Sequence, residues 1–215
     1  RMMAFNVESA NEISLRLEAP VNMTPGGYEL SVHGPGGESG KVKLYVDHFK
    51  QFDEASATNL TLLPVGIWGV LDTPGDHDEF SFQAAAGQTI ALELAVKHIG
   101  SKLQNGSLTL LNERGAVLAV DQGFDGGDRL VAVQIPADGR YTARVGDQML
   151  AASKDHAYRL SIGELPVVTG VFPLSVQTNS ETVVELSGYN LPYKVTNLVR
   201  AVVSGEVEVP LASDR

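Results

Sequence analysis

Apolar and polar residues alternate along most of this chain. Tyr28, Leu30 and Val32 are separated by Glu29 and Ser31, and Val42, Leu44 and Val46 by Lys43 and Tyr45. A two-residue period places successive side chains on opposite faces of an extended strand and marks one face for burial. The same pattern predicts strands at Ile13–Leu17, Phe80–Phe82, Ile90–Val96, Leu108–Leu111, Val117–Val120, Leu130–Ile135, Tyr141–Val145, Tyr158–Ile162, Val183–Leu186 and Val199–Val203. Between these runs stand turn formers: Pro25-Gly26-Gly27, Gly34-Pro35-Gly36-Gly37, Asp72 to Asp76, Asn105-Gly106, Gly126-Gly127 and Asp138-Gly139. Glycine supplies unusual backbone angles, and Asp or Asn caps a turn through its own side chain. Short strands punctuated in this way predict an all-β chain of sandwich type. One short helix is predicted, within Gly146–Lys154.

Two joints divide the pattern. The polar stretch from Lys50 to Asn59 precedes a fresh apolar run, and a strand ends against Pro166 before Val167 begins another. The expected domains are therefore 1–52, 53–163 and 164–215. The central piece has the size of a complete β-sandwich, whereas each flank is about half of the roughly 100 residues that two packed sheets need. The flanks read as incomplete domains.

Charge narrows the partners. Sixteen Lys and Arg against 26 Asp and Glu leave a net charge of −10, spread over all three segments. No basic cluster exists to neutralise phosphates, so nucleic acid is not an expected partner. Cysteine is absent, which excludes disulfides, thiolate nucleophiles and cysteine zinc sites. Apolar runs fall far short of the roughly 20 residues of a membrane-spanning helix, so no membrane insertion is expected. Residues 1–15 lack a basic stretch followed by an apolar run, so no signal peptide is expected within them.

The acidic loop Asp121-Gln122-Gly123-Phe124-Asp125-Gly126-Gly127-Asp128 is the foremost candidate site. Calcium takes six to eight oxygens from carboxylates and carbonyls, and three aspartates spaced by glycine can wrap around one. Asp76 and Asp78, in another loop, would complete such a site if the fold brings the loops together. The competing reading makes these residues turn formers, with Asp128 capping a turn internally. The five histidines, at 33, 48, 77, 98 and 156, form no metal-binding spacing. Ser39 lies one residue short of a nucleophile elbow, and the Gly34–Gly40 run lacks the Gly-Lys-Ser/Thr ending of a phosphate loop. An Asp76/Asp78 or Asp125/Asp128 pair would need an aromatic-lined cleft to act as a glycosidase pair. Trp68, the single tryptophan, sits within Ile67-Trp68-Gly69-Val70-Leu71. A core position is expected for it, in preference to a sugar platform. Phe49 and Phe52 are expected to seal the joint near residue 50.

The order of the central pieces resembles a known family. Gly75-Asp76-His77-Asp78-Glu79-Phe80-Ser81-Phe82, Ala86-Gly87-Gln88, Gly100 to Leu103, Leu108 to Leu111, Asp128-Arg129-Leu130, Pro136 to Tyr141 and Tyr158-Arg159-Leu160 resemble the bacterial pre-peptidase C-terminal domain over about half the chain. The flanks, 20–46 and 166–191, resemble the closing hairpin and opening strands of immunoglobulin-like domains of the transcription-factor/plexin type. Such an order is similar to that of secreted multidomain proteins of planctomycete-like bacteria.

The resemblance implies a central jelly-roll-like β-sandwich between immunoglobulin-like segments. It implies a non-catalytic extracellular or cell-surface module that spaces domains or binds an extracellular protein or polysaccharide. Calcium is the ion it would hold, and no enzyme activity is expected. The alternative is a structural assembly, in which 164–215 and 1–50 complete one another by strand addition between copies.

Overall fold

A computed structural model describes residues 2–9, 12–121, 128–191 and 196–200. The chain is all-β, with no helix among the described residues. It divides into two compact units at Phe49/Lys50.

The first unit holds six strands: β1 Met2–Ser9, β2 Glu12–Leu17, β3 Gly26–Leu30, β4 His33–Gly34, β5 Gly37–Glu38 and β6 Val42–Val46. They pair antiparallel as β1–β2, β3–β6 and β4–β5. Tyr28 faces Leu44 in register, and Leu30 faces Val42. On the exposed side Glu29 and Lys43 are opposed, while Lys41 Nζ donates to Glu29 at 2.8 Å. Phe5, Val7, Ile13, Leu17, Val42 and Leu44 all remain exposed.

The second unit contains β7 Lys50–Asp53, β8 Asn59–Leu60, β9 Val65–Val70, β10 His77–Ala84, β11 Thr89–Ala95, β12 Gly106–Asn112, β13 Val117–Asp121, β14 Arg129–Gln134, β15 Gly139–Asp147, β16 Ala157–Gly163, β17 Val167–Phe172, β18 Glu181–Tyr189 and β19 Thr196–Arg200. Two five-stranded sheets, ordered β13-β12-β15-β10-β8 and β14-β11-β16-β9-β7, share one core. Phe80 and Phe82 come from the first sheet with Leu108, Leu110 and Tyr141; Ile67, Leu92, Leu94, Tyr158 and Leu160 come from the second. Strand β10 alternates, so Glu79, Ser81 and Gln83 face outward while Phe80 and Phe82 face in.

Three expectations change here. Lys50–Asp53 pairs parallel with β9, which starts the sandwich at Lys50 rather than at residue 53. Phe52, expected at the joint, packs on the sandwich core. The helix expected within Gly146–Lys154 does not form. Strand β15 runs through Asp147, whose Oδ1 accepts the Met149 amide at 2.7 Å and the Ala151 amide at 3.2 Å. Leu150 takes a left-handed φ of 55°, so the chain turns where helical dihedrals would have continued.

The last three strands form a separate sheet, β17-β18-β19. Asn190 anchors it by donating to Thr89 O at 2.9 Å and Leu165 O at 3.0 Å.

The shared core sets the first prediction. Phe82→Ala should lower unfolding free energy by about 3–5 kcal/mol through lost burial and a residual cavity. Val117→Ala, on an exposed strand position, should stay within about 0.5 kcal/mol. Urea denaturation of both variants checks the contrast.

Candidate functional site

The polar chemistry of the sandwich gathers where β9, β10 and β16 meet. Tyr158 is 1% exposed, and its phenol would lose its hydration without a partner inside the fold. Its hydroxyl donates to Asp78 Oδ2 at 2.5 Å and lies 3.4 Å from Glu54 Oε2. The same Glu54 oxygen accepts the Val70 amide at 2.8 Å. Gly69 makes room for this tie, because a methyl there would collide with both the Glu54 carboxylate and the Tyr158 hydroxyl.

Burial pushes the Asp78 carboxyl up to about 6; the Tyr158 hydrogen bond opposes that rise, while the nearby charges of Glu54 and Asp76 add to it. Tyr158 is itself driven well above the usual phenol range by burial and by hydrogen bonding to Asp78.

Asp121 and Asp128 serve other parts of the fold. Asp128 Oδ1 accepts the amides of Val96 and Lys97, each at 2.8 Å, and His98 Nδ1 meets the other carboxylate oxygen. It caps the turn after β11. Asp121 Oδ2 accepts the Leu130 amide at 2.9 Å and so bridges β13 to β14. Arg129, 2% exposed, donates through Nε to Gly106 O at 2.7 Å and through Nη2 to Gln104 O at 3.2 Å.

Asp78 and Asp121, the described aspartates of β10 and β13, are not brought together. Asp78 pairs in register with Val145, Val145 with Leu108, and Leu108 with Asp121. That is three strand spacings of roughly 4.8 Å, about 14 Å in all, too far for carboxylates sharing one ion. Among the described residues no cluster of three or more His, Asp or Glu side chains could hold a metal. Asp125 lies outside the described residues. The described carboxylates therefore do not fit the calcium site expected from both loops. Glu54, which belongs to the cluster, was hidden in a polar stretch that reads as a joint. The partner that defines it, Tyr158, is 104 residues away.

Trp68 departs furthest from expectation. It is 56% exposed, whereas its neighbours Val65 and Ile67 on the same strand are fully buried. The β9 alternation turns Ile67 and Gly69 inward and the indole out.

No family model matches the chain, and no curated protein matches it. Among solved structures it is similar to the pre-peptidase C-terminal domain of collagenase from Bacillus anthracis, with 17% identity, 54% of this chain and 100% of that one covered, and a TM-score of 0.37. PliG from Aeromonas hydrophila, a periplasmic inhibitor of g-type lysozyme, matches at 21% identity over 53% of this chain and 99% of that one, with a TM-score of 0.35. The M60 catalytic domain of Clostridium perfringens ZmpB, with its CBM51-1 and CBM51-2 domains, matches at 16% identity over 79% of this chain and 20% of that one, with a TM-score of 0.34. Likeness at this level assigns no residue a role.

Two predictions follow from the carboxylates. The Asp78 carboxyl, raised from an ordinary 3.8 to about 6, favours the folded state when protonated. Its contribution is complete below pH 3.8 and is lost as pH rises through 6. The melting temperature of the wild type minus that of Asp78→Asn should accordingly fall between pH 4 and 7, measured by circular dichroism. Asp128→Ala should lower stability by about 1.5–3 kcal/mol through its lost charged hydrogen bonds. The loss should be equal in calcium and in chelator; a loss confined to calcium would restore the ion-binding reading.

Proposed function

We propose that this chain is a non-catalytic module of an extracellular or cell-surface protein, which binds an extracellular protein or polysaccharide and spaces its neighbours. The observation that carries this reading is the employment of its acidic groups. Asp78, Glu54, Asp121 and Asp128 each accept hydrogen bonds from the fold's own amides or from a buried phenol. A general acid or nucleophile must instead present its carboxyl to a substrate. Asp78, the one carboxyl among the described residues with a strongly raised pKa, has that shift chiefly from burial. Its oxygen is occupied by a structural donor.

The outward sheet faces offer the larger surface. On the first sheet, Ser81, Gln83, Arg140, Thr142 and Arg144 make a polar face, with Arg144 paired to Glu79 at 2.6 Å. Such a surface suits recognition of a polymer from outside the sandwich. No helix among the described residues is long and apolar enough to cross a membrane.

A second reading rests on the flanks. Phe5, Val7, Ile13 and Leu17 in the first unit, Phe172 and Val183 in the C-terminal sheet, and Leu174 in the loop between β17 and β18 are exposed. Apolar strands of this kind favour pairing with another copy.

Cosedimentation of the full chain with insoluble polysaccharides and protein fibres tests the first reading. Saturable retention without release of soluble product is expected; product release would overturn it. Sedimentation velocity over a hundredfold concentration range should show one monomeric species, and concentration-dependent association would favour the assembly.

A further inference from the structure

The outer face of the second sheet carries a feature that the acidic cluster does not use. Trp68 stands 56% exposed there and is the chain's only tryptophan. It faces Arg159 of β16 in register on one side and Asp53 of β7 on the other. Gly66 and Val70 flank the indole along β9, Ser161 and Ala157 lie opposite them on β16, and Ala95 lies beyond Arg159 on β11. The Gln51 side chain of β7 lies over Gly66, and Ser161 is buried. The indole therefore stands out of the sheet between a guanidinium and a carboxylate, with an amide side chain beside it.

This arrangement selects by chemistry. An aromatic face takes up the C–H face of a pyranose ring, which is apolar, while the ring's equatorial hydroxyls point sideways. Hydroxyls both donate and accept, so they suit an arginine on one flank and an aspartate on the other. Asp53 Oδ1 also accepts the Ser56 amide at 2.8 Å, and hydrogen bonds from Ser56 hold its carboxyl below the usual range. A ligand of single charge would be repelled by one flank, and a polyanion also by the net charge of −10. An extended, ribbon-like chain can lie along the strands beside the indole, where a coiled one would lift away.

We propose that Trp68, flanked by Arg159 and Asp53, is the binding platform for a neutral, β-linked hexopyranose chain. This rests on the binding-module reading above and names its ligand class and its site.

The single tryptophan makes the test direct. The full chain is titrated with cellohexaose and with chitohexaose while indole emission is followed, polygalacturonate serving as the anionic control. A saturable change in emission with a neutral oligosaccharide, and none with polygalacturonate, is expected. Affinity electrophoresis in gels containing the corresponding soluble neutral polymer then compares variants. Trp68→Ala should weaken retardation at least tenfold with unchanged melting temperature, and Arg159→Ala severalfold. Silent emission together with undiminished retardation of Trp68→Ala would overturn the platform and leave the module reading standing. Emission that changes with protein concentration alone would assign the face to a second copy and also overturn it. Retention by no polymer of any kind would remove the module reading itself.

Discussion

A phenol sealed inside a β-sandwich must have an acceptor, and much of the geometry here depends on how Tyr158 finds one. Removing a hydroxyl from water without a partner costs several kcal/mol in an apolar setting. Asp78 supplies the bond at 2.5 Å, which ties β16 of one sheet to β10 of the other. Glu54 approaches the same hydroxyl and accepts the Val70 amide, so the segment after β7 is fastened to β9. The absent side chain of Gly69 is what lets three polar groups meet in that space. Burial of the Asp78 carboxyl in that space raises its pKa, and the nearby charge of Glu54 adds to the rise.

The same constraint decides the fate of Trp68. With Ile67 and Gly69 committed to the interior, a two-residue period leaves the indole no choice but the outside. Sequence reasoning placed Trp68 in the core because aromatic residues amid Ile, Val and Leu usually belong there. The run is short and apolar throughout, so its hydrophobicity does not indicate phase. Phase comes from Gly69, which must lie beneath the Tyr158–Glu54 tie, and that tie joins residues far apart in sequence.

What the sequence made legible follows from locality. Strands such as Phe80–Phe82 and Tyr141–Val145 were readable because their alternation is written within a few residues. The supposed helix at Gly146–Lys154 failed on one side chain: Asp147 draws two following amides into a turn, a preference that competes with helix at every aspartate. The acidic residues were legible as a set, but their employment was not. Asp128 acts on amides about 30 residues away, and Glu54 on a phenol 104 residues away. Turn capping and metal binding ask for the same residue types, so composition cannot separate them; only the placement of donors does.

Once the inward carboxylates are occupied by internal donors, the proposed recognition falls to the outward faces. Those faces are made of isolated features: one indole on the second sheet, and on the first a paired Arg144 among hydroxyls and amides. One aromatic stack with two polar flanks contributes only a few kcal/mol, which corresponds to binding in the millimolar range. Weak single contacts become useful when several are tethered, because each further contact is then made at a high effective concentration. In the proposed module, a sandwich that contributed one modest contact and held its neighbours apart would be one physical design, in which spacing and binding reinforce one another.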